Sequence, residues 1–426
     1  MTVPGGGRPA ALEESRDDAS RGARALVLDR TFGTLFWGKL LSSAGVWMQG
    51  VTAAIVVYEG TGSATAVSLI TLAQALPQLV LGPWSGVLAD RRHPARQIVL
   101  GRMLCVLGSG LLAAFFATVD PGPLLLVGVV FACSLLVGTG FVIGGPAMQS
   151  IIPDLVRPSE LHTAMTLNTA PLTTARIAGP ALGAFVLGWA GPAASFAVSA
   201  ATHAVFVLLL VLVARIPHRS EGDRGTAVSM RAGLTYLRAH PRLWVMLGAT
   251  ALLGIGTEPS LTLAPALSES LHGNVLLAGP LTLSFGIGSL AGLLGTPVLR
   301  RWATVGQAAW IGLLTMIVGM GLVAALNSPA WAFACFGVAG AGFSWGMAGF
   351  SSLLQSETDR GFRGRVMAWW LVAFLGFRPL SASTTGLITD LLSVRAAFAV
   401  SSAALAVCAG LLGLALWRRS PPTRFH

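Results

Sequence analysis

Residues 86–100 read GVLADRRHPARQIVL, and this short stretch decides how the chain divides. It carries Asp90, Arg91, Arg92 and Arg96 between two apolar runs of helix length. A helix needs about 20 residues to cross the hydrocarbon core of a bilayer, so the charges mark a hairpin where the chain leaves a membrane for a few residues. Composition agrees. Of 426 residues, 54% are hydrophobic and 11% charged, with a mean hydropathy of +0.73, whereas a soluble domain carries roughly 25% charged residues. Barrel strands would read as alternating segments of about 10 residues, and the runs here are longer and continuous. The sequence predicts an all-α membrane protein.

Outward from the hairpin, apolar runs fall at 33–57, 64–89, 97–119, 122–147, 162–190, 192–215, 243–268, 274–299, 303–326, 328–355, 363–389 and 395–417. They predict twelve transmembrane helices. Arginines gather in alternate gaps: Arg91, Arg92 and Arg96; Arg157; Arg215 to Arg242; Arg300 and Arg301; Arg360, Arg363 and Arg365. The intervening gaps hold Glu59, Asp120, Glu269 and Asp390, with Arg395 the lone arginine among them. The positive-inside rule then places both termini in the cytoplasm. The formal charge of +11 follows this alternation and forms no single basic face, which argues against nucleic acid as a partner. The four cysteines lie singly inside apolar runs and read as buried thiols.

The expected organisation is a polar, disordered cytoplasmic tail at 1–30, a six-helix bundle at 31–215, a cytoplasmic linker at 216–242, a second six-helix bundle at 243–417 and a short tail at 418–426. In the linker, Met230, Leu234 and Leu237 recur at helical spacing until Pro241, which predicts a short amphipathic helix on the inner membrane face. Two bundles joined in this way fit the duplicated plan of secondary transporters. Arg176 before Gly179–Pro180 and Arg378 before Pro379 form a faint internal repeat.

Several motifs carry a more specific likeness. They are Ser43–Gln49 (SAGVWMQ), Thr61–Ala64 (TGSA), Gly86–Arg96, Ala175–Gly183 (ARIAGPALG) and Arg363–Met367 (RGRVM). Over nearly its whole length the chain resembles the major facilitator superfamily, and within it the enterobactin-exporter-like and macrolide-efflux-like branch of transmembrane secretion effectors. Gly86, Leu88, Ala89, Asp90 and Arg91 match that superfamily's G-x-L-A-D-R loop motif, while His93, Pro94 and Ala95 depart from it. The resemblance implies a cytoplasmic latch at Gly86, Asp90 and Arg91, for which Arg363 or Arg365 is the candidate partner in the opposite half; the alternative is that these charges, Arg92 and Arg96 above all, only hold the loop inside. Ala175–Ala184 is similar to the antiporter motif G-x-x-x-G-P-x-x-G-G, with alanine for two glycines; its Gly179, Pro180 and Gly183 would let the fifth span pack closely and bend. Val46 stands where relatives carry an aspartate, so that proton site does not transfer.

Ionisable groups at membrane depth are costly and usually face a cavity. Glu258, between Thr257 and Pro259, is the candidate proton-coupling group; the alternatives are a structural ion pair with Arg176 or Arg378, or an outward register. Arg378 is a candidate for holding an anionic substrate group, whereas Arg176 reads more readily as a helix clamp. Gln49, Gln74 and Asn168 are further substrate-cavity candidates, although membrane amides also join helices. Trp345, Trp369 and Trp370 are either pocket lining or interface anchors. His203, alone in its span, reads as buried packing. No P-loop, metal cluster or nucleophile elbow is present, so no cofactor, metal or enzymatic activity is expected.

The reading that results is a proton antiporter of the bacterial cytoplasmic membrane. It would export an amphipathic small molecule such as a drug, antibiotic or siderophore-like metabolite by alternating access, and would act as a monomer. Export is what the resemblance favours. An importer or facilitator on the same scaffold and a non-transporting sensor are the alternatives.

Overall fold

The structure is a computed structural model describing residues 21–89, 94–212, 230–325, 327–359 and 361–417. Among these residues there are helices and turns and no strand. The long elements are α1 (Phe32–Thr61), α2 (Ala64–Ala89), α3 (Pro94–Thr118), α4 (Pro123–Ser150), α5 (Ala170–Leu212), α6 (Met230–Ala239), α7 (Pro241–Thr257), α8 (Ala278–Trp302), α9 (Val305–Leu322), α10 (Pro329–Glu357), α11 (Arg363–Gly376), α12 (Arg378–Leu391) and α13 (Val394–Trp417). Ten helical stretches among the described residues are long and apolar enough to cross a membrane. Their outward faces carry bare leucine, valine and tryptophan, including Leu107, Leu125, Trp189, Leu208, Leu294 and Leu411. That is the surface a chain solvated by lipid presents.

The count differs from the predicted twelve because of two local features. The stretch Thr163–Leu212 is one of the ten, yet its 50 residues would extend about 75 Å at 1.5 Å per residue. Gly191, at φ 81 and ψ 177 with Pro192 behind it, breaks α5 there. The Ser195 hydroxyl then lies 3.5 Å from the Gly183 carbonyl, so the arm after the break folds back along the arm before it. Conversely, residues 241–272 are broken at Glu258 and Leu263 into three short helices, and no piece alone reaches crossing length. Pro259 and Pro265 cause those breaks by withholding backbone N–H groups.

Each half has its own apolar core. One joins residues of α7, α9, α10, α11 and α13 around Leu253, Met316, Phe336, Phe350 and Phe398, with Ala64 its one fully buried member from the first half. The first half is filled by two clusters, one around Ile55, Leu112 and Phe196 and one around Phe32, Ile98, Ile151 and Phe206. The halves meet along two seams, α5 against α8 and α2 against α12. The first arm of α5 is pressed from both sides. A Cβ on Gly179 would stand 2.6 Å from Cβ of Trp47, and one on Gly183 would stand 2.8 Å from the Met48 carbonyl oxygen, both on α1. On its other face, Gly279 of α8 lies against Pro180 and Ala184, and Gly286 against Ile177. The predicted packing motif is therefore where α1, α5 and α8 meet.

Helix α6 packs on α11 and α7. Leu237 is fully buried, and Tyr236 stacks between His240 and Phe362 at centroid distances of 4.1 and 4.3 Å. Residues 21–30, assigned above to the tail, carry a short helix and an ion-pair cluster. Ala23–Val27 is helical with Leu26 buried. The Arg21 guanidinium donates to Glu160 at 2.7 and 2.9 Å and to Asp29 at 2.9 Å. The hydrogen bonds from Arg21 outweigh burial and hold the Glu160 carboxyl down to about 2. Burial pushes Asp29 upward, but hydrogen bonds from Thr31, Phe32 and Arg21 prevail and bring it to about 2.

Packing and charge each give an expected outcome. Gly183→Leu should lower thermal stability by about 1–3 kcal/mol through overpacking, while Gly410→Leu, with nothing within 4 Å of its Cβ position, should be neutral by the same melt in detergent. The Glu160 carboxyl is depressed in the folded state, so its stabilising contribution is complete above its ordinary value of 4.5 and is lost as pH falls toward about 2. Amide exchange, corrected for intrinsic rates, should show protection of residues 22–31 fading across that interval, and Glu160→Gln should remove it at neutral pH.

Candidate functional site

Glu258 and Arg378 both sit at breaks made by proline. Helix α7 ends at Glu258 because Pro259 follows, and α12 begins at Arg378, just before Pro379. The carbonyls freed near the first break are taken up locally. Thr257 donates to the Gly254 carbonyl at 2.8 Å, Ser260 to that of Thr257 at 2.6 Å, and Ser381 reaches across from α12 to that of Ile255 at 3.0 Å. Backbone so interrupted is tolerated at membrane depth only where other groups satisfy it. The breaks turn two side chains toward each other: Arg378 Nε donates to Glu258 Oε2 at 2.6 Å. Glu258 is 1% exposed and Arg378 18%. The other carboxylate oxygen, Glu258 Oε1, is buried with no partner.

Aromatic rings enclose this pair. The Arg378 guanidinium lies 5.7 Å from the Phe374 ring, which neighbours Phe343 at 6.1 Å and stacks with Trp370 at 6.2 Å. Arg176 comes from the opposite half. Its guanidinium lies between Trp47 of α1, at 5.7 Å, and Phe343 of α10, at 4.7 Å, within electrostatic reach of Arg378 and Glu258. It has no carboxylate partner among the described residues. The site thus holds two guanidiniums and one carboxylate, with Trp47, Phe343, Phe374 and Trp370 around them. Its formal charge is positive, and elements of both halves build it.

Of the sequence candidates, Glu258, Arg176 and Arg378 converge here. Gln49 is fully buried inside the first half, where it accepts from Ser109. Gln74 lies beside Gly50 of α1, and its backbone packs on Gly138 of α4. Asn168 accepts from Lys39 Nζ at 2.8 Å and donates to Gln149. Trp345 pins α10 to α8 through its 2.7 Å hydrogen bond to the Gly292 carbonyl, and Trp369 rests on Gly233 of α6. In the expected latch, Gly86 lies on α2, but Asp90 and Arg91 fall outside the described residues. Arg363 Nε donates to the Thr358 carbonyl at 3.2 Å, and the Arg365 guanidinium lies over the Phe362 ring at 4.9 Å.

Sequence reasoning missed two features. One is Arg102, 1% exposed within α3, which donates to Ser42 at 2.6 Å; Ser42 in turn contacts His203 Nδ1 at 2.8 Å. His203, buried as expected, thus has polar neighbours on other helices. An arginine inside the apolar run 97–119 was the available signal. The other is a clasp between the halves at the start of α2. Asp390 Oδ1 accepts from the Ala64 N–H at 2.7 Å, and Oδ2 accepts from the Ser63 hydroxyl at 2.7 Å and the Thr65 N–H at 3.0 Å. A carboxylate of the second half thereby caps the N-terminus of α2 in the first half, where the helix dipole favours negative charge. One turn inward, Ser68 donates to the Ala382 carbonyl at 2.7 Å.

Known proteins resemble this chain along most of its length. The family model for transmembrane secretion effectors matches residues 22–419. The enterobactin exporter EntS of Salmonella choleraesuis (strain SC-B67) is 25% identical over 407 residues, covering 92% of this chain and 94% of the exporter. The EntS of Escherichia coli O139:H28 shows the same identity and coverage. Among solved structures, a bacterial homolog of the human lysosomal transporter Spinster aligns with a TM-score of 0.74 at 16% identity, over 95% of this chain and 100% of that one. The nucleoside transporter NupG aligns with a TM-score of 0.70 at 13% identity, over 91% of this chain and 100% of that one. The chain is a multi-pass bacterial inner-membrane protein, a transporter and not an enzyme, and it belongs to the transmembrane secretion effector family of the major facilitator superfamily.

Proposed function

We infer that the protein exports a small amphipathic molecule by alternating access, in exchange for protons, through a site centred on Glu258 and Arg378. The observation that carries this reading is the buried ion pair itself, set between two helix breaks and facing Arg176 across the boundary of the halves. The enterobactin exporters lend the outward direction and point to a siderophore or another metabolite of that size as cargo. Twelve crossings, with both termini on one side, follow if Thr163–Leu212 counts as two, turning at Gly191, and residues 241–272 as one; the arginine alternation makes that side the cytoplasm.

In this mechanism a proton arriving on Glu258 releases Arg378, because a neutral carboxyl no longer holds a guanidinium. The freed Arg378 and the unpaired Arg176 then attract an anionic group, and the rings receive the apolar body. The two halves rock about the α5–α8 and α2–α12 seams, with the Asp390 clasp closing the outer end. Opening to that side requires the clasp to part. A cytoplasmic latch of Gly86, Asp90 and Arg91 against Arg363 or Arg365 would close the opposite end. The protein would work as a monomer, since one chain supplies both halves of the site.

The test is efflux of a panel of anionic and cationic fluorescent aromatic compounds from efflux-deficient cells, with and without an uncoupler. Export that the uncoupler abolishes supports the reading; substrate that merely equilibrates, indifferent to the gradient, overturns the proton coupling. Glu258→Gln should abolish export and, by leaving Arg378 unpaired, destabilise the fold by about 3–5 kcal/mol. Adding Arg378→Gln should recover most of that stability without recovering export, which separates folding from function. Asp390→Ala should shift the population toward the state open at the outer end. Spin labels at Leu124 and Leu392, in a background without the native cysteines, should report a longer distance; an unchanged distribution would remove the clasp from the mechanism.

A further inference from the structure

The register of α3 is fixed by its contacts with α4. The Gln97 amide donates to the Ile143 carbonyl at 2.8 Å, Ile98 is fully buried, and Gly101 lies against the backbone of Gly140 and Gly144. With those positions turned inward, helical geometry sends Arg96, Leu100, Met103, Leu107 and Leu111 to the opposite face. All five are exposed. From Arg96 to Leu111 the row spans about 22 Å at 1.5 Å per residue, which exceeds half of the roughly 30 Å hydrocarbon core. A single charge thus stands at the head of an apolar row as long as one leaflet is deep.

Beside the end of the returning arm of α5, this row borders an open groove of about 530 Å³. Its walls are Val99, Leu100 and Met103 of α3 and Leu210 and Val211 of α5, with Arg96 at the rim. The groove faces away from the central site, on the outer surface of the first half, where Leu208 and Leu212 are bare as well. A groove with such walls is reached from the lipid. Arg96 has no ion pair among the described residues, and α3 begins at Pro94, so the positive end of its dipole lies at the same level. A guanidinium offers a phosphodiester two parallel N–H groups. It favours an anionic headgroup over a zwitterionic one, whose own cation offsets the attraction.

We propose that the groove between α3 and the end of α5 holds one anionic phospholipid, its phosphate on Arg96 and an acyl chain along Leu100, Met103 and Leu107. Arg96, which the sequence offers only as a charge that keeps a loop inside, thereby gains a ligand. The lipid fills the space between α3 and the returning arm of α5 and ties the two together. It comes from the leaflet that borders the α2–α3 hairpin. By the arginine alternation this is the cytoplasmic leaflet, whose surface is negative. The proposal does not depend on the cargo, on proton coupling or on the direction of transport.

The test melts the full chain in neutral detergent with added dioleoylphosphatidylglycerol or dioleoylphosphatidylcholine, which share their acyl chains. The midpoint should rise with phosphatidylglycerol and saturate about 3 °C above the phosphatidylcholine value. Arg96→Gln should remove that excess, and because the side chain is exposed and unpaired the variant should fold. Arg301→Gln, at an exposed arginine near the end of α8, should keep it. Native mass spectra should show one phosphatidylglycerol retained by the unmodified chain and lost from Arg96→Gln. Equal midpoints in the two lipids would overturn the proposal, as would an excess kept in full by Arg96→Gln or lost equally in Arg301→Gln. A rise reproduced by sodium phosphate without lipid would also overturn it, since the ligand would then be a free anion.

Discussion

A charge inside a bilayer has to be met from within the protein, since lipid offers it nothing. At the central site the chain meets it with a direct ion pair, Glu258 to Arg378 at 2.6 Å. The pair forms because proline interrupts two helices at matching places. Pro259 and Pro379 each stop regular hydrogen bonding one residue after the charged side chain. The freed carbonyls then attract Thr257, Ser260 and Ser381. Charge, helix break and local hydroxyls are one solution, and removing any part leaves a buried polar group without a partner.

The way the halves are joined follows from how each is filled. Their apolar cores are largely separate, with Ala64 reaching into that of the second half and Ala264, Val275 and Ala278 into that of the first. Between them the seams are made of glycine against backbone and short side chains, as at Gly279 on Pro180 and Ala184 and Gly286 on Ile177, and of polar contacts such as Ser68 to Ala382. Interdigitated large side chains resist sliding because a close-packed core deforms in steps. A seam of small residues has fewer such obstacles. The contrast between well-filled halves and a smooth, polar seam suits the rocking motion proposed above, with the Asp390 clasp as one of the contacts that must part.

Much of this was legible in the sequence, for identifiable reasons. The membrane helices are dictated by length and hydrophobicity, which periodicity does not have to resolve. The small residues Gly179 and Gly183 announced close packing, and the structure supplied the partner, residues 44–48 of α1. Glu258, Arg176 and Arg378 stood out as charges in apolar runs, but their meeting depends on helix rotation at Pro259 and Pro379, which no one-dimensional pattern fixes. Asp390 was readable only as an outer-loop acid. Its role comes from the approach of α12 to the start of α2, a contact between residues 326 apart.

The two halves solve the burial of charge differently. In the second half Arg378 has a carboxylate, so a proton on Glu258 would switch the interaction off. In the first half Arg102 and Lys39 have serine, asparagine and aromatic neighbours, none of which changes charge. In the mechanism proposed above, that asymmetry puts the titrating group in the second half. Arg176, which crosses from the first half toward that pair, is held by the rings of Trp47 and Phe343. A cation held by aromatic faces can exchange that contact for a substrate without first breaking an ion pair.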